Sequence, residues 1–303
     1  MSPALDRGSA FRCGYVALVG EPNVGKSTLM NQLLRQKLAI VSPKPQTTRR
    51  RTVGIVSGEH YQLVLLDTPG ILDPKYALQR SMMRTVGEVL SDADVACYLM
   101  DVTELAPGAI HVPDAVRDFG RPRVAAFNKI DLLRAKERMI PLLQETADLG
   151  LFAEIVPVSA LTGEGVARLI EVLVRHLPEG TPFYSSEQLT EQPERFFVAE
   201  IIRERVFCQF SEEVPYAVEV EIVEFKERPG AKDFIEAVLY VEQISQKPIL
   251  IGRGGHAIRS LGEAAREAIE EFLGRPVFLQ LHVKVAPKWR RNKEALRRFG
   301  YRA

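Results

Sequence analysis

The stretch Gly20-Glu21-Pro22-Asn23-Val24-Gly25-Lys26-Ser27 decides how the rest of the chain is interpreted, because it lies between an apolar run and a helix-like segment, residues 15–19 and 28–34. The spacing G-x-x-x-x-G-K-S lets backbone N–H groups surround phosphate oxygens at the start of a helix. Lys26 can then reach the β- and γ-phosphates, and the Ser27 hydroxyl can bind Mg²⁺. The residues predicted to hold the nucleotide phosphates are Gly20, Glu21, Pro22, Asn23, Val24, Gly25, Lys26, Ser27 and Thr28.

Two later segments carry side chains that could complete this site. Residues 42–51 are too rich in proline and charge for a packed element, so we expect an exposed, mobile loop. Thr48, in preference to Thr47, is predicted to bind Mg²⁺ when a γ-phosphate is present. The strand-like run 61–66 ends in the motif Asp67-Thr68-Pro69-Gly70, whose carboxylate can hold Mg²⁺ and whose glycine N–H can contact the γ-phosphate. The predicted metal ligands are Ser27, Thr48 and Asp67.

A third polar segment is predicted to select the base. The strand-like run 123–127 leads into Asn128-Lys129-Ile130-Asp131. Guanine presents two adjacent donors that the Asp131 carboxylate could accept together, and a polar site left unpaired by the wrong base discriminates by roughly 10⁴-fold. Asn128 would support the loop and contact N7, and the Lys129 stem would cover the base. After a further strand, the backbone of Ser159-Ala160-Leu161 could contact guanine O6.

These four motifs each follow a strand-like run, which predicts a doubly wound, mostly parallel α/β sheet with its ligand at the carboxyl ends of the strands. This half resembles the translation-factor-related GTPases. Asn23 within Pro-Asn-Val-Gly-Lys-Ser-Thr and the run 46–49, Gln-Thr-Thr-Arg, resemble the Era-type branch. The resemblance implies GTP, GDP and Mg²⁺ as cofactors, and makes K⁺, bound by Asn23, a candidate for a further one. The residues with predicted catalytic roles are Lys26, Thr48, Gly70 and Asn23.

The hydrolytic machinery differs from that of Ras-like enzymes at one position. Those enzymes place a glutamine after the D-x-x-G glycine to orient the attacking water, whereas this chain has Ile71. We therefore expect slow intrinsic hydrolysis, with a backbone group, a cation near Asn23 or a partner ordering the water. The run Arg49-Arg50-Arg51 could stabilise developing charge, and solvated surface is the alternative role for these arginines.

Length and composition indicate two domains. A chain of 303 residues exceeds the size at which a single core usually stops growing. The stretch 176–193 contains several prolines and glycines among polar residues and shows no sustained periodicity. We predict an N-terminal tail at 1–12, a nucleotide-binding domain at 13–180, a linker at 181–193 and a second domain at 194–303.

Composition also bears on location and partners. Three widely spaced cysteines and the lack of a signal-like or membrane-spanning run predict a cytoplasmic protein, with peripheral contact at the inner face of the cell membrane left open. The net charge of +1 does not by itself indicate nucleic-acid binding. From Lys284 onward, however, eight Lys or Arg residues stand against a single acid, Glu294, so the basic charge is concentrated at one end.

The second half reads as a helix, two alternating strands, two helices and a third strand, with the loop Gly252-Arg253-Gly254-Gly255 between the two adjacent helices. This order resembles a type II KH domain, a smaller α+β fold that binds about four nucleotides of single-stranded RNA. Glycines let the sugar-phosphate backbone approach, and Arg253 adds charge. A purely structural turn is the alternative, as is a buried rather than base-stacking Trp289. The predicted RNA-binding residues are Ile251, Gly252, Arg253, Gly254, Gly255, Ile258, Arg259, Lys288, Trp289, Arg290 and Arg291.

Beyond its first dozen residues, the whole chain resembles the Era family. Members of that family bind the 3′ region of 16S ribosomal RNA and assist assembly of the 30S subunit, and the resemblance implies the same partners here. No stable protein partner is evident from the sequence. Two alternatives stay open, namely a membrane-associated signalling GTPase whose KH-like half binds protein, and an ATPase.

Overall fold

The computed structural model describes residues 10–42 and 44–302, which divide into two compact units. The first takes in the described residues up to 39, then 48–73 and 82–191; the second takes in the described residues of 40–47, 74–81 and the chain from 192 onward. Of the predicted N-terminal tail, residues 1–12, the first nine residues lie outside the part of the chain that the structure describes. The division after residue 191 falls within the predicted linker, but the grouping of 40–47 and 74–81 with the second half was not predicted.

The first unit is built on a six-stranded sheet in the order β2-β3-β1-β4-β5-β6, in which only the edge strand β2 runs antiparallel to its neighbour. Its parallel strands read as continuous apolar runs because helices cover both faces of such a sheet. The predicted fold class is confirmed. The strands are β1 Arg12–Gly20, β2 Thr52–Ser57, β3 Tyr61–Asp67, β4 Val95–Asp101, β5 Arg123–Asn128 and β6 Glu154–Pro157.

Four α-helices lie in the connections between these strands, and a fifth, α5, follows β6. Helix α5 shows how sequence dictates their packing, since Val166, Leu169 and Leu173 recur at helical spacing and are buried. Because parallel strands end at one edge of the sheet, the last residues of β1, β3 and β5 are brought to that edge together. The helices are α1 Lys26–Leu34, α2 Ala77–Asp92, α3 Asp114–Arg117, α4 Met139–Asp148 and α5 Val166–His176.

Residues 181–191 of the predicted linker are held against the first unit by hydrogen bonds. Their backbone is held by Gln62, whose Oε1 accepts from Phe183 N at 2.8 Å and Tyr184 N at 3.0 Å. Further along, Leu189 O accepts from Ile55 N at 2.8 Å. A buried glutamine with its hydrogen bonds satisfied fixes a segment that composition alone marks as a loop.

The second unit contains a three-stranded sheet in the order β7-β8-β9, with β7 antiparallel and β9 parallel to β8. Helices α6 and α9 cover one face, and Val198, Ile202 and Leu261 lie in its buried core. This arrangement confirms the predicted α+β fold of the KH type. The elements are α6 Glu194–Gln209, α7 Val214–Ala217, β7 Glu219–Lys226, β8 Asp233–Val241, α8 Gln246–Ile251, α9 His256–Leu273, β9 Val277–Val285 and α10 Lys293–Arg298.

Among the described residues, every helix is too short or too polar to cross a bilayer.

Candidate functional site

The phosphate loop connects the end of β1 to the start of α1. Gly25 precedes the helix with φ 97°, and a Cβ there would lie 2.3 Å from Asn128 Nδ2, so both backbone conformation and space require glycine. Lys26 Nζ donates to the carbonyl oxygens of Gly20 at 3.1 Å and Glu21 at 2.7 Å. The loop therefore folds around the lysine that would face the phosphates.

Lys26 is buried, and burial lowers the pKa of its ammonium group to about 8, against the opposing influence of the nearby carboxylates of Asp67 and Glu21. The side chain still carries its proton at neutral pH. A desolvated positive charge of this kind interacts strongly with phosphate because the surrounding dielectric is low.

Three oxygen-bearing side chains meet beside Lys26. Ser27 Oγ lies 2.9 Å from Thr48 Oγ1 and 2.7 Å from Asp67 Oδ2, and Thr48 Oγ1 lies 3.4 Å from the same carboxylate oxygen. Asp67 is fully buried, and its Oδ1 has no hydrogen-bond partner within the described part of the chain. Burial raises the pKa of Asp67 to about 6, although the Lys26 charge and the Ser27 hydrogen bond oppose the rise.

This oxygen set fits Mg²⁺, which prefers hard oxygen ligands and is commonly held by one or two protein groups plus nucleotide phosphates. The buried, unpaired Asp67 Oδ1 is the atom that most needs such a partner. When bound, the metal would neutralise developing phosphate charge. Ser27, Thr48 and Asp67 are thus brought together as predicted ligands.

Gly70 shows why the D-x-x-G motif ends in glycine. A Cβ at this position would lie 2.6 Å from Pro22 N and 2.7 Å from Pro22 Cα, so a side chain would push the phosphate loop away. The next residue, Ile71, donates its N–H to Gly20 O at 2.9 Å and packs against the hydrophobic core. The motif and the phosphate loop therefore form one joined structure.

The prediction that residues 42–51 form an exposed loop is wrong in part. Thr47 is only 8% exposed and Arg49 only 3% exposed. Proline and charge made this segment resemble a solvated loop, but tertiary neighbours bury Thr47 and Arg49. Arg49 is accordingly not a surface arginine.

Asn128 joins three of the predicted motifs. Its Nδ2 donates to Val24 O at 2.7 Å, and its Oδ1 accepts from Ala160 N at 2.9 Å, while the residue itself is 1% exposed. Asp131 is exposed within the 3-10 turn Ile130–Leu132, and Leu161 is 74% exposed. The base-recognition segments are thus held against the phosphate loop, with Asp131 accessible to a ligand.

Asp101 is a site residue that our sequence reasoning missed. Lys129 has φ 68°, and its ammonium group forms an ion pair with the buried Asp101 carboxylate. Asp101 also accepts from Thr103 Oγ1 at 2.6 Å and Thr103 N at 3.0 Å. The available signal was an acid at the carboxyl end of a buried strand, the same signal that identified Asp67.

The predicted RNA-binding loop joins α8 to α9. Gly252 has φ 75°, and a Cβ there would lie 2.7 Å from Ala257 N, so the turn is too tight for a side chain. Arg253 and Arg259 are exposed around the start of α9, and Ile251 and Ile258 are half-buried against the core. The structure therefore presents glycines and basic groups at one helix junction.

Of the two roles left open for Trp289, the structure bears out the buried one and not base stacking. The indole is fully buried, donates from Nε1 to Ala217 O at 2.8 Å, and packs against Phe299 and Tyr301. A ring in this position serves the core and cannot meet a nucleotide without unfolding the C-terminal segment. The basic neighbours differ, since Lys288 and Arg291 are exposed.

Arg290 is engaged within the second unit. Its guanidinium donates from Nε to Glu242 Oε2 at 2.8 Å, and its Cζ lies 5.3 Å from the centroid of the Tyr76 ring. Phosphate would have to compete with this ion pair for the arginine.

Two family models match the chain. Residues 15–129 match the model described as 50S ribosome-binding GTPase, and residues 213–290 match the KH domain model. The two matched ranges together span more than half of the sequence.

Relatives match over almost the full length. The chain is 43% identical to "GTPase Era" of Caldanaerobacter subterraneus subsp. tengcongensis, with 96% of this chain and 98% of the relative covered. It is 42% identical to "GTPase ERA-like, chloroplastic" of Arabidopsis thaliana, with 96% of this chain and 69% of the relative covered.

Two solved structures are similar as well. One is an Era variant from Aquifex aeolicus bound to GDP and AlF4⁻, and the other is Era in complex with MgGDPNP and nucleotides 1506–1542 of 16S ribosomal RNA. Each has a TM-score of 0.91 and 38% identity, with 97% of this chain and 100% of the other covered.

Proposed function

The chain belongs to the Era family of GTPases, and from that premise we propose that it is a GTP-hydrolysing switch that binds the 3′ region of 16S ribosomal RNA and assists assembly of the 30S subunit. One observation carries the proposal. The same chain has a nucleotide site whose motifs are linked by hydrogen bonds and, after it, a G-x-x-G loop, and it is similar over 97% of its length to Era bound to this RNA.

The nucleotide half supplies positioning and charge for hydrolysis. Lys26 faces the β- and γ-phosphates, and Ser27, Thr48 and Asp67 hold Mg²⁺. The backbone N–H of Gly70 would contact the γ-phosphate. These groups stabilise the charge that develops on the transferring phosphoryl group, while binding and orientation supply the rest.

Hydrolysis is slow in this proposal because Ile71 offers no polar atom to the attacking water. K⁺ beside Asn23 is the proposed aid. Asn23 lies in the phosphate loop with φ 64°, a left-handed conformation that asparagine tolerates. Hydrolysis should be faster in potassium than in sodium, and Asn23→Ala should lose the difference. A parent protein with equal rates in the two salts would end the potassium proposal.

Loss of the γ-phosphate releases its contacts with Thr48 and Gly70, and such loops commonly reorganise when this happens. In this proposal the affinity of the G-x-x-G loop for RNA differs between the GTP-bound and GDP-bound states. The exposed Arg253 and the start of α9 favour phosphate, and the tight Gly252 turn lets the RNA backbone approach.

RNA binding is tested with an oligonucleotide spanning nucleotides 1506–1542 of 16S ribosomal RNA. Gly254 and Gly255 have φ 59° and 78°, with open space where a Cβ would be. Asp and Asn tolerate this conformation about equally, so the double Asp variant and the double Asn variant differ in charge alone. We expect the Asp variant to lose affinity relative to the Asn variant. Equal affinity of parent and Asp variant would contradict the KH assignment.

The alternative, a membrane-associated GTPase whose second half binds protein, predicts no RNA affinity in either variant or parent. Cytoplasmic location and contact with the inner face of the membrane remain predictions. Fractionation of cells into cytosol and membranes, with the parent chain detected in each, measures both.

A further inference from the structure

The described residues of 40–47 belong to the compact unit that carries the G-x-x-G loop, although they lie within the range matched by the GTPase model. They directly precede Thr48, the proposed Mg²⁺ ligand. The chain therefore passes from the second unit into the nucleotide site at a single peptide bond, between Thr47 and Thr48.

Helix α6 holds this segment at three points. Glu204 Oε1 accepts from Val41 N at 3.0 Å, and Lys44 Nζ donates to the carbonyls of Phe207, at 2.5 Å, and Phe210. Phe207 lies in the last turn of the helix and Phe210 is its C-cap residue, so their carbonyls need partners from outside the helix. Lys44 therefore caps α6 as well as anchoring the segment.

The third contact is made by Arg203, whose Nη1 donates to the carbonyl oxygen of Thr47. The Arg203 side chain is 1% exposed and also forms a two-point ion pair with Glu200, with Nε 3.1 Å from Oε1. Its planar fork is thus fixed by one partner while the remaining N–H groups reach the loop. A buried hydrogen bond from a charged group is stronger than one at the surface.

Geometry links this contact to the metal site. The carbonyl of Thr47 and the N–H of Thr48 lie in the same peptide plane, so fixing one fixes the other. The next rotatable bonds carry the Thr48 hydroxyl, which lies 2.9 Å from Ser27 Oγ. Arg203 consequently restricts where that hydroxyl can lie.

We propose that Arg203 is a positioning residue for the GTP-bound state, acting through the Thr47–Thr48 peptide to order Thr48 for Mg²⁺ and the γ-phosphate. Since GDP lacks the γ-phosphate, the contact favours GTP over GDP. By reciprocity, GTP strengthens the attachment of residues 40–47 to α6. The inference rests on the proposed function, because it assigns Thr48 to the metal.

A second attachment supports this reading. Residues 74–81, which follow the D-x-x-G motif, also belong to the second unit. Gln79 Nε2 lies 3.4 Å and Tyr76 Oη 3.5 Å from Gln46 Oε1, and Ser81 Oγ donates to Arg302 O at 2.6 Å. The segments that precede Thr48 and follow the D-x-x-G motif therefore both belong to the unit with the G-x-x-G loop.

The test compares nucleotide preference in folded variants of the full chain. Arg203→Lys keeps the charge but loses the planar fork, which donates to Glu200 through Nε and Nη2 and to Thr47 through Nη1. With Mg²⁺ present, we expect its affinity for the non-hydrolysable analogue GMPPNP to fall about tenfold while GDP affinity stays unchanged. Lys44→Met should shift the same ratio in the same direction by a smaller factor.

The matched control is Arg195→Lys, on the same helix, since Arg195 also donates to a main-chain carbonyl, that of Ile222 at 2.9 Å. It should leave the GMPPNP-to-GDP ratio unchanged. A merely structural Arg203 would lower the unfolding midpoint without moving the ratio, and that result would overturn the proposal. If Arg203→Lys does not fold, an unchanged ratio in Lys44→Met overturns it instead.

Failure of the proposed function has a different signature. A parent protein that prefers GMPPNP through Arg203 yet shows no affinity for the 16S oligonucleotide would refute the RNA assignment and leave the Arg203 inference intact. If the parent binds the oligonucleotide but every variant has the same GMPPNP-to-GDP ratio as the parent, the Arg203 inference is refuted and the RNA assignment stands.

Discussion

Replacing Asn128 with alanine should damage the nucleotide site and the fold of the first unit together. The substitution removes two buried hydrogen bonds and leaves Val24 O and Ala160 N without their partner. Each unpaired buried group costs about 1–3 kcal/mol, so we expect the two together to lower the free energy of unfolding by about 2–6 kcal/mol. Because Val24 lies in the phosphate loop and Ala160 in the guanine O6 segment, affinity for GDP should fall by at least about tenfold.

The assay must report on the first unit. The sole tryptophan, Trp289, lies in the second unit, so its fluorescence is a poor probe of this change. Amide hydrogen exchange over β1 and β5 measures local opening directly, and GDP titration measures affinity. Exchange rates and GDP affinity both equal to those of the parent would refute the idea that Asn128 joins the three motifs.

Asn31→Ala is the matched control for this prediction. Asn31 also makes side-chain hydrogen bonds to main chain, donating to Ala39 O at 2.8 Å and accepting from Leu38 N at 2.9 Å and Ala39 N at 2.8 Å. These hydrogen bonds join α1 to residues 38 and 39 and not to the base-recognition segments. Its replacement should lower stability while GDP affinity changes much less.

Three other predictions concern the same site. Asp131→Asn should move preference from guanine toward xanthine nucleotides, measured by competition binding, and retained GTP selectivity would mean that the base site is misassigned. Asp101→Asn should weaken GDP and GTP binding alike, by about tenfold, because Lys129 loses the ion pair that orients it; a change confined to GTP would contradict that role. Mg²⁺ affinity should fall about tenfold between pH 8 and pH 5, because Mg²⁺ competes with the proton of Asp67, whose pKa burial raises to about 6. The fall should be shallower in Asp67→Asn, which lacks the titrating carboxylate, and identical pH profiles would contradict the assignment.

Much of the fold followed from sequence because local signals and tertiary roles agree there. Asp67 and Asn128 stand at the ends of buried parallel strands, and such strands end at one edge of a sheet, so their proximity could be inferred without coordinates. The KH-like half was predictable for a similar reason, since its alternating strands and its glycine loop fall in a recognisable order.

Other features depend on partners that are remote in sequence. Residues 42–51 look solvated by composition, yet Arg203 lies more than 150 positions away and holds Thr47 in a buried contact. Trp289 stands among basic residues, which suggested the surface, but Phe299 and Tyr301 enclose it. In each case a hydrogen bond or ring contact supplied by tertiary structure reverses the local preference.

The most direct test of the central claim is the RNA affinity of the parent chain in its two nucleotide states. The probe is the oligonucleotide spanning nucleotides 1506–1542 of 16S ribosomal RNA, titrated at fixed salt with saturating Mg²⁺–GMPPNP or Mg²⁺–GDP. Coupling of the usual size between two sites predicts that GMPPNP strengthens RNA binding about tenfold over GDP. Equal affinities in the two states would contradict a nucleotide-controlled RNA switch.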